Sequence, residues 1–166
     1  MVQLSYSKIR DVESPRYAND GDAGLDFYVP KYSYELMREI QALSNHPQSD
    51  MLDIIIPANS DIKIPSGIKV NIPKHHYLQV GNKSGIATKK YLTKTAEIVD
   101  STFQGEIIFC LYNRSESAVH IPYGTKIMQL ILLELPQVEL KECHIDDLYD
   151  SKSSRGEGGF GSTGIH

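Results

Sequence analysis

Apolar and polar positions alternate in short runs along most of this chain, and Pro, Gly or Asp-Ser punctuation closes nearly every run. Val2, Leu4 and Tyr6 alternate with polar neighbours and predict a modest first strand, and residues 24–29 predict a second that stops at Pro30. From Met51 the β pattern resumes. Ile54, Ile55 and Ile56 end at Pro57, Ile62 and Ile64 alternate, and Pro65-Ser66-Gly67 predicts a turn before Ile68, Val70 and Ile72. Residues 77–80, 95–99, 106–112, 119–121 and 126–135 complete the set of predicted strands. The last of these, KIMQLILLEL, is apolar on both faces and is expected in the middle of the fold. One segment breaks the pattern. Across residues 31–53, Tyr34, Met37, Ile40 and Leu43 recur at helical spacing, Ser33 stands where an N-cap belongs, and His46-Pro47 ends the run. This stripe predicts one inserted helix, suited to packing or to a partner groove.

Many short strands with closely spaced turns predict an all-β sandwich or barrel. At 166 residues the chain is long enough for one full core. A net charge of -4 excludes a general nucleic-acid binder, which needs a basic surface to neutralise phosphates. Cys110 and Cys143 are too far apart to suggest a disulfide framework or a metal cluster, and they fit a reducing intracellular compartment such as the cytoplasm. No signal-like or membrane-spanning apolar run is present, so no membrane association is expected.

Four places carry candidate chemistry. Asp26 sits among apolar neighbours, so it either faces water on an edge strand or is buried for a reason. Gln129 interrupts the apolar run of residues 126–135, and a buried amide there serves either a structural hydrogen bond or a ligand. Asp100 lies between two predicted strands with Ser101, Thr102, Gln104 and Gly105, a turn by default. Last comes RGEGGFGSTGIH, with five glycines in nine residues. Such a stretch does not pack a core, and alone it is expected to be flexible. Yet it carries Arg155, Phe160, Ser162 and Thr163, which suit a lid over a nucleotide: a guanidinium for phosphate, amides for an anion and an aromatic for a base.

These stretches occur in an order that resembles the five motifs of the trimeric dUTPase family. DAGLDFY (residues 22–28) resembles the first, NKSGIA (82–87) the second and AEIVDSTFQGEI (96–107) the third. GTKIMQLIL (124–132) resembles the fourth and RGEGGFGSTG (155–164) the fifth. The resemblance implies a dUTPase-like β-sandwich or jelly-roll barrel over residues 1–150, with the helical insertion near 31–53 and a flexible arm over 151–166. It implies hydrolysis of dUTP to dUMP and pyrophosphate by a homotrimer with shared active sites, with Mg2+ as cofactor.

The resemblance also assigns roles. Asp100 is the general base for the attacking water, and Phe103 packs against deoxyribose to exclude a 2'-hydroxyl. Ala96, Glu97 and Ile98 present backbone to the uracil edge. Ser84 and Gly85, beside Lys83 and together with Gln129, meet the phosphates, and Asp26 reaches Mg2+ through water. Arg155, Gly161, Ser162 and Thr163 clasp the triphosphate while Phe160 stacks on uracil. The chain departs from the family pattern at Lys83, where Arg is usual, at Thr102 and Phe103, where Asp and Tyr are usual, and at Glu97, where Gly is common. Two other classes compete. A dCTP deaminase shares the Thr95-Ala96, Asp100, Phe103, Gly105 pattern, but its catalytic Glu would fall on Cys110 here. A regulatory protein that uses the same fold to bind a partner is the other.

Overall fold

The computed structural model describes residues 2–48 and 53–158. By contacts the chain divides into two compact units, Met1–Pro136 and Gln137–His166.

The first unit holds β1 (Ser5–Lys8), β2 (Leu25–Tyr28), α1 (Tyr34–Ser44), β3 (Asp53–Ile56), β4 (Asp61–Asn71), β5 (His76–Asn82) and α2 (Ser84–Lys89). It continues with β6 (Leu92–Lys94), β7 (Ile98–Asp100), β8 (Glu106–Asn113), β9 (Val119–Pro122) and β10 (Lys126–Glu134). The strands form two four-stranded sheets, ordered β1-β4-β8-β6 and β2-β10-β5-β7, and a two-stranded β3-β9 ribbon. All pairings are antiparallel. The result is a jelly-roll-like β sandwich. Phe27 of one sheet meets Phe109 of the other edge to face, with centroids 6.4 Å apart and planes at 87°, the geometry aromatic quadrupoles favour. Around them Ile62, Ile64, Leu78, Ile107, Leu111, Met128 and Leu130 are buried.

Period-2 burial explains most of the strands. In β8 the residues Ile107, Phe109, Leu111 and Asn113 point inward, while Glu106, Ile108, Cys110 and Tyr112 are only half-covered. The strand is therefore two-sided, where its apolar composition alone suggested burial on both faces. β10 lies between β2 and β5 as expected from its composition.

Three expectations are corrected. Residues 62–64 and 68–71 belong to one strand, with Ile72 just beyond its end, because Pro65-Ser66-Gly67 makes a bulge: the β4–β8 register shifts between Pro65 and Lys69. Gly67 takes φ +75 there, and Ser66 Oγ accepts from the Ile68 amide at 3.1 Å. The inserted helix ends earlier than its pattern suggested, at Ser44, with Asn45 as a left-handed cap at φ 57. Its N-cap is Ser33, whose hydroxyl accepts from the Leu36 amide at 3.2 Å. The buried face is rotated from the expected stripe: Leu36 and Ile40 enter the core with Met37 packed beside them, while Tyr34 is 70% exposed and Leu43 41%. Third, the inserted helix is not the only one, since NKSGIA runs into α2.

The second unit contains a 3-10 turn over Ile145–Asp147 and a tight turn in which Gly158 donates its amide to the Arg155 carbonyl at 3.1 Å.

Candidate active site

Two groups of side chains form, one on the β2-β10-β5-β7 sheet and one where β7 crosses to β8 of the other sheet. The first comes from β2, β10 and β5, which place Asp26 directly opposite Gln129 and Gln129 directly opposite Gly81. Residues far apart in sequence thus share one row. Asp26 is buried at 3% exposure, so the water-facing alternative is excluded. Its Oδ1 accepts from Lys83 Nζ, and its Oδ2 lies 3.1 Å from Lys126 Nζ without a well-aligned hydrogen bond. Burial pushes the Asp26 carboxyl up, but the two ammonium groups outweigh that effect and hold it below its ordinary value. The same pairing pushes Lys126 up.

Gln129 donates from Nε2 to the Asn82 carbonyl at 2.9 Å. Its stem occupies the space beside two glycines: a Cβ at Gly81 would sit 3.1 Å from Gln129 Cγ, and one at Gly24 would sit 3.2 Å from Oε1. The structural role left open by the sequence is therefore present. Asn82 is a junction, because its Oδ1 accepts from the Lys94 amide at 2.9 Å and its Nδ2 donates to Thr93 Oγ1 at 3.3 Å. Immediately after it, Lys83 caps α2 and Ser84 and Gly85 form its first turn.

The second group is the turn that joins β7 of one sheet to β8 of the other, a hairpin-like connection whose two strands pair with other strands and not with each other. An open pocket of about 220 Å³ is lined by Val80, by the run from Ala96 to Asp100, and by Phe103, Glu106, Ile107 and Ile108. The Phe103 amide donates to the Asp100 carbonyl at 3.0 Å, closing the turn that carries both side chains. A Cβ at Gly105 would fall 2.4 Å from the Phe103 ring, so only glycine lets that ring lie where it does. Glu97 has no positive φ, its carbonyl accepts from Val80 at 2.7 Å, and its carboxylate pairs with Lys94. The hairpin therefore forms without the glycine usual at that position. Among the described residues, the amide and carbonyl of Ala96 have no backbone partner, which leaves them free to read a ligand edge. Asp100 is exposed at the end of β7, paired with Tyr77 of β5.

A second pocket, about 240 Å³, is lined by Tyr6, Tyr17, Leu25 and Leu132 among others, and by no carboxylate, histidine, lysine or arginine. Arg155 lies in the second unit, where its Nε donates to the Gly158 carbonyl at 2.6 Å. Phe160, Gly161, Ser162 and Thr163 lie outside the described residues. Sequence reasoning missed Asn82, Lys126 and Glu106. All three lie inside the motifs quoted above, 124–132 for Lys126, 82–87 for Asn82 and 96–107 for Glu106, but none was singled out.

An open pocket at the β7–β8 connection and, apart from it, a buried carboxylate flanked by two lysines belong to a jelly-roll-like β sandwich. Comparison with known proteins narrows that class. Residues 49–164 match the dUTPase family model. The deoxyuridine 5'-triphosphate nucleotidohydrolase of Fusobacterium nucleatum is 32% identical over 165 residues, covering 98% of this chain and 97% of its own. That of Paramecium bursaria Chlorella virus 1 is 34% identical over 131 residues, covering 78% and 89%. Among solved structures, a Staphylococcus bacteriophage 80alpha dUTPase bound to dUpNHpp superposes with a TM-score of 0.77 at 19% identity, over 99% of this chain and 100% of that one. The chain belongs to the dUTPase family.

Proposed function

We propose that this protein is a dUTP diphosphatase that hydrolyses dUTP to dUMP and pyrophosphate. The observation that carries this reading is the hairpin pocket, in which Ala96 to Asp100, Phe103 and Glu106 line a single cavity. Uracil enters against the free Ala96 backbone groups, deoxyribose lies on Phe103, and Asp100 takes the proton of the attacking water. Phe103 keeps the wall that a tyrosine would provide, without its hydroxyl.

The phosphates fall to the other group, with Ser84 and Gly85 of α2 and the second N–H of the Gln129 side-chain amide, the first being held by the Asn82 carbonyl. Lys83 and Lys126 supply positive charge next to them. Within one chain Asp100 itself stands away from the Asp26 row: it is level with Tyr77 of β5, and Gln129 with Gly81. Four residues along a strand span about 13 Å. That separation supports a homotrimer in which one site combines the hairpin of one subunit with the Asp26 row of another. The arm, with Arg155, Phe160, Gly161, Ser162 and Thr163, completes the site over bound nucleotide.

Mg2+ is expected to arrive with the triphosphate. Among the described residues, no group of three or more His, Cys, Asp or Glu could hold a metal. Asp26 nonetheless fits the outer role, being ionised, buried and left with an incompletely satisfied Oδ2. When bound, the ion neutralises charge on the phosphates. No helix among the described residues is long and apolar enough to cross a membrane.

The test is pyrophosphate release from dUTP, UTP, dTTP and dCTP with Mg2+, together with ammonia release from dCTP. Strong preference for dUTP and no ammonia are expected. Equal turnover of UTP would remove Phe103 from the sugar wall, and ammonia release would favour deamination in spite of Cys110.

A further inference from the structure

Glu106 opens β8 and forms part of the pocket wall, yet its carboxylate is already engaged on the side away from the hairpin turn. Oε1 accepts from the Gly67 amide at 2.6 Å and from Arg10 Nε at 2.9 Å, and Oε2 accepts from Arg10 Nη2 at 2.9 Å. This is a two-pronged guanidinium–carboxylate pair, with side chains only 20% and 14% exposed. Gly67 is the positive-φ residue of the β4 bulge, and a Cβ there would press to 3.0 Å on both Arg10 and Val12. Arg10 Nη2 also bonds Glu39 on the inserted helix α1. A continuous chain of contacts therefore runs from α1 through Arg10 to the wall of the pocket.

We infer that Arg10, oriented by Glu39, is a positioning residue for the nucleotide site: it clamps Glu106, fixes the foot of the Asp100–Phe103 hairpin, and balances a carboxylate beside an anionic substrate. The inference rests on the hairpin pocket being the dUTP site. A loose Glu106 would let the hairpin drift on β8 and would set an unbalanced negative charge near the triphosphate. Both effects weaken nucleotide binding before they touch the chemical step. Glu39 is half-exposed and Ala is a good helix former, so Glu39→Ala cuts the relay at its outer end without opening the core.

The experiment measures KM and kcat for dUTP in wild type, Glu39→Ala, Arg10→Met, Arg10→Lys and the Glu39→Ala/Arg10→Met double variant, with amide hydrogen exchange on each. KM is expected to rise about 3-fold in Glu39→Ala and about 10-fold or more in Arg10→Met, for one charged hydrogen bond and a buried pair respectively. kcat is expected to stay within about 2-fold, the signature of lost binding rather than lost chemistry. Arg10→Lys recovers part of the loss, and Glu39→Ala adds nothing once Arg10 is gone. Exchange is expected to quicken at Gly67 and across residues 100–108. An unchanged KM in both single variants, or fully additive effects in the double variant, overturns the relay. If wild type fails to turn over dUTP, the substrate reading fails by itself. The relay is then judged by exchange, and an unaltered 100–108 segment in Arg10→Met overturns it.

Discussion

Asp100 stands at the end of a strand with its backbone fixed on both sides, by the β7–β5 ladder before it and by the Phe103 amide after it. The fold thus fixes where the carboxylate starts and leaves its oxygens to the ligand. Asp100→Asn keeps the shape and removes the base. Turnover is expected to fall ~10²–10⁴-fold, while calorimetry with a non-hydrolysable dUTP analogue shows retained binding. Near-normal turnover would move the base elsewhere. Asp26 makes a different prediction. Its folded pKa is lowered, so its ionised form favours the native state: the contribution is complete above the ordinary carboxyl value and is lost as pH falls through the folded value. Asp26→Asn is therefore expected to cost about 1–3 kcal/mol at pH 7, and the gap to wild type is expected to close below about pH 4. Urea midpoints at the two pH values check it. A gap that widens in acid would show that the pair with Lys83 and Lys126 is not what holds Asp26.

The elements differ in how openly the chain announces them. α1 was legible from its period and its Ser33 cap, because both signals are local. Its buried face was not, since Tyr34 and Leu36 both suit a helix and only the neighbouring sheet selects between them. Tyr34 instead carries the Arg38 guanidinium 5.9 Å from its ring centre. The β4 bulge was hidden for the same reason, as Pro-Ser-Gly writes a turn in any context and becomes a bulge only when β8 is there to pair across it. Leu36 is 1% exposed and Ile40 0%, so the insertion is anchored in the core. Leu36→Ala is expected to cost about 2–5 kcal/mol, read as a clear drop in melting temperature. A change of less than half a degree would mean that α1 only rests on the surface.

At the scale of the whole molecule an all-β sandwich or barrel was legible from spacing, and the site only in part. Most of the hairpin pocket comes from one stretch of sequence, so Asp100 and Phe103, which the family resemblance had named, line it together. The row of Asp26, Gln129 and Gly81 exists only after three strands have met, so Lys126 and Asn82 stayed unseen. Two separated groups in one chain predict complementation. Asp100→Asn subunits and subunits truncated after Ser154 are each expected to be nearly inactive. Refolded together, they are expected to regain activity wherever an intact Asp100 meets an intact arm from a neighbour. Mixed trimers that recover nothing would rule out an arm acting between subunits.

Gly105 matters through what it lacks. The Phe103 ring lies in the space a side chain at that position would occupy, so the wall stands before any nucleotide arrives. On the sugar-wall role proposed above, the choice between sugars is then set by how this turn folds. A selectivity of this kind does not wait on the ligand to organise it. It would vary little with the speed of arm closure, and a change of sugar preference would have to begin by rebuilding the hairpin.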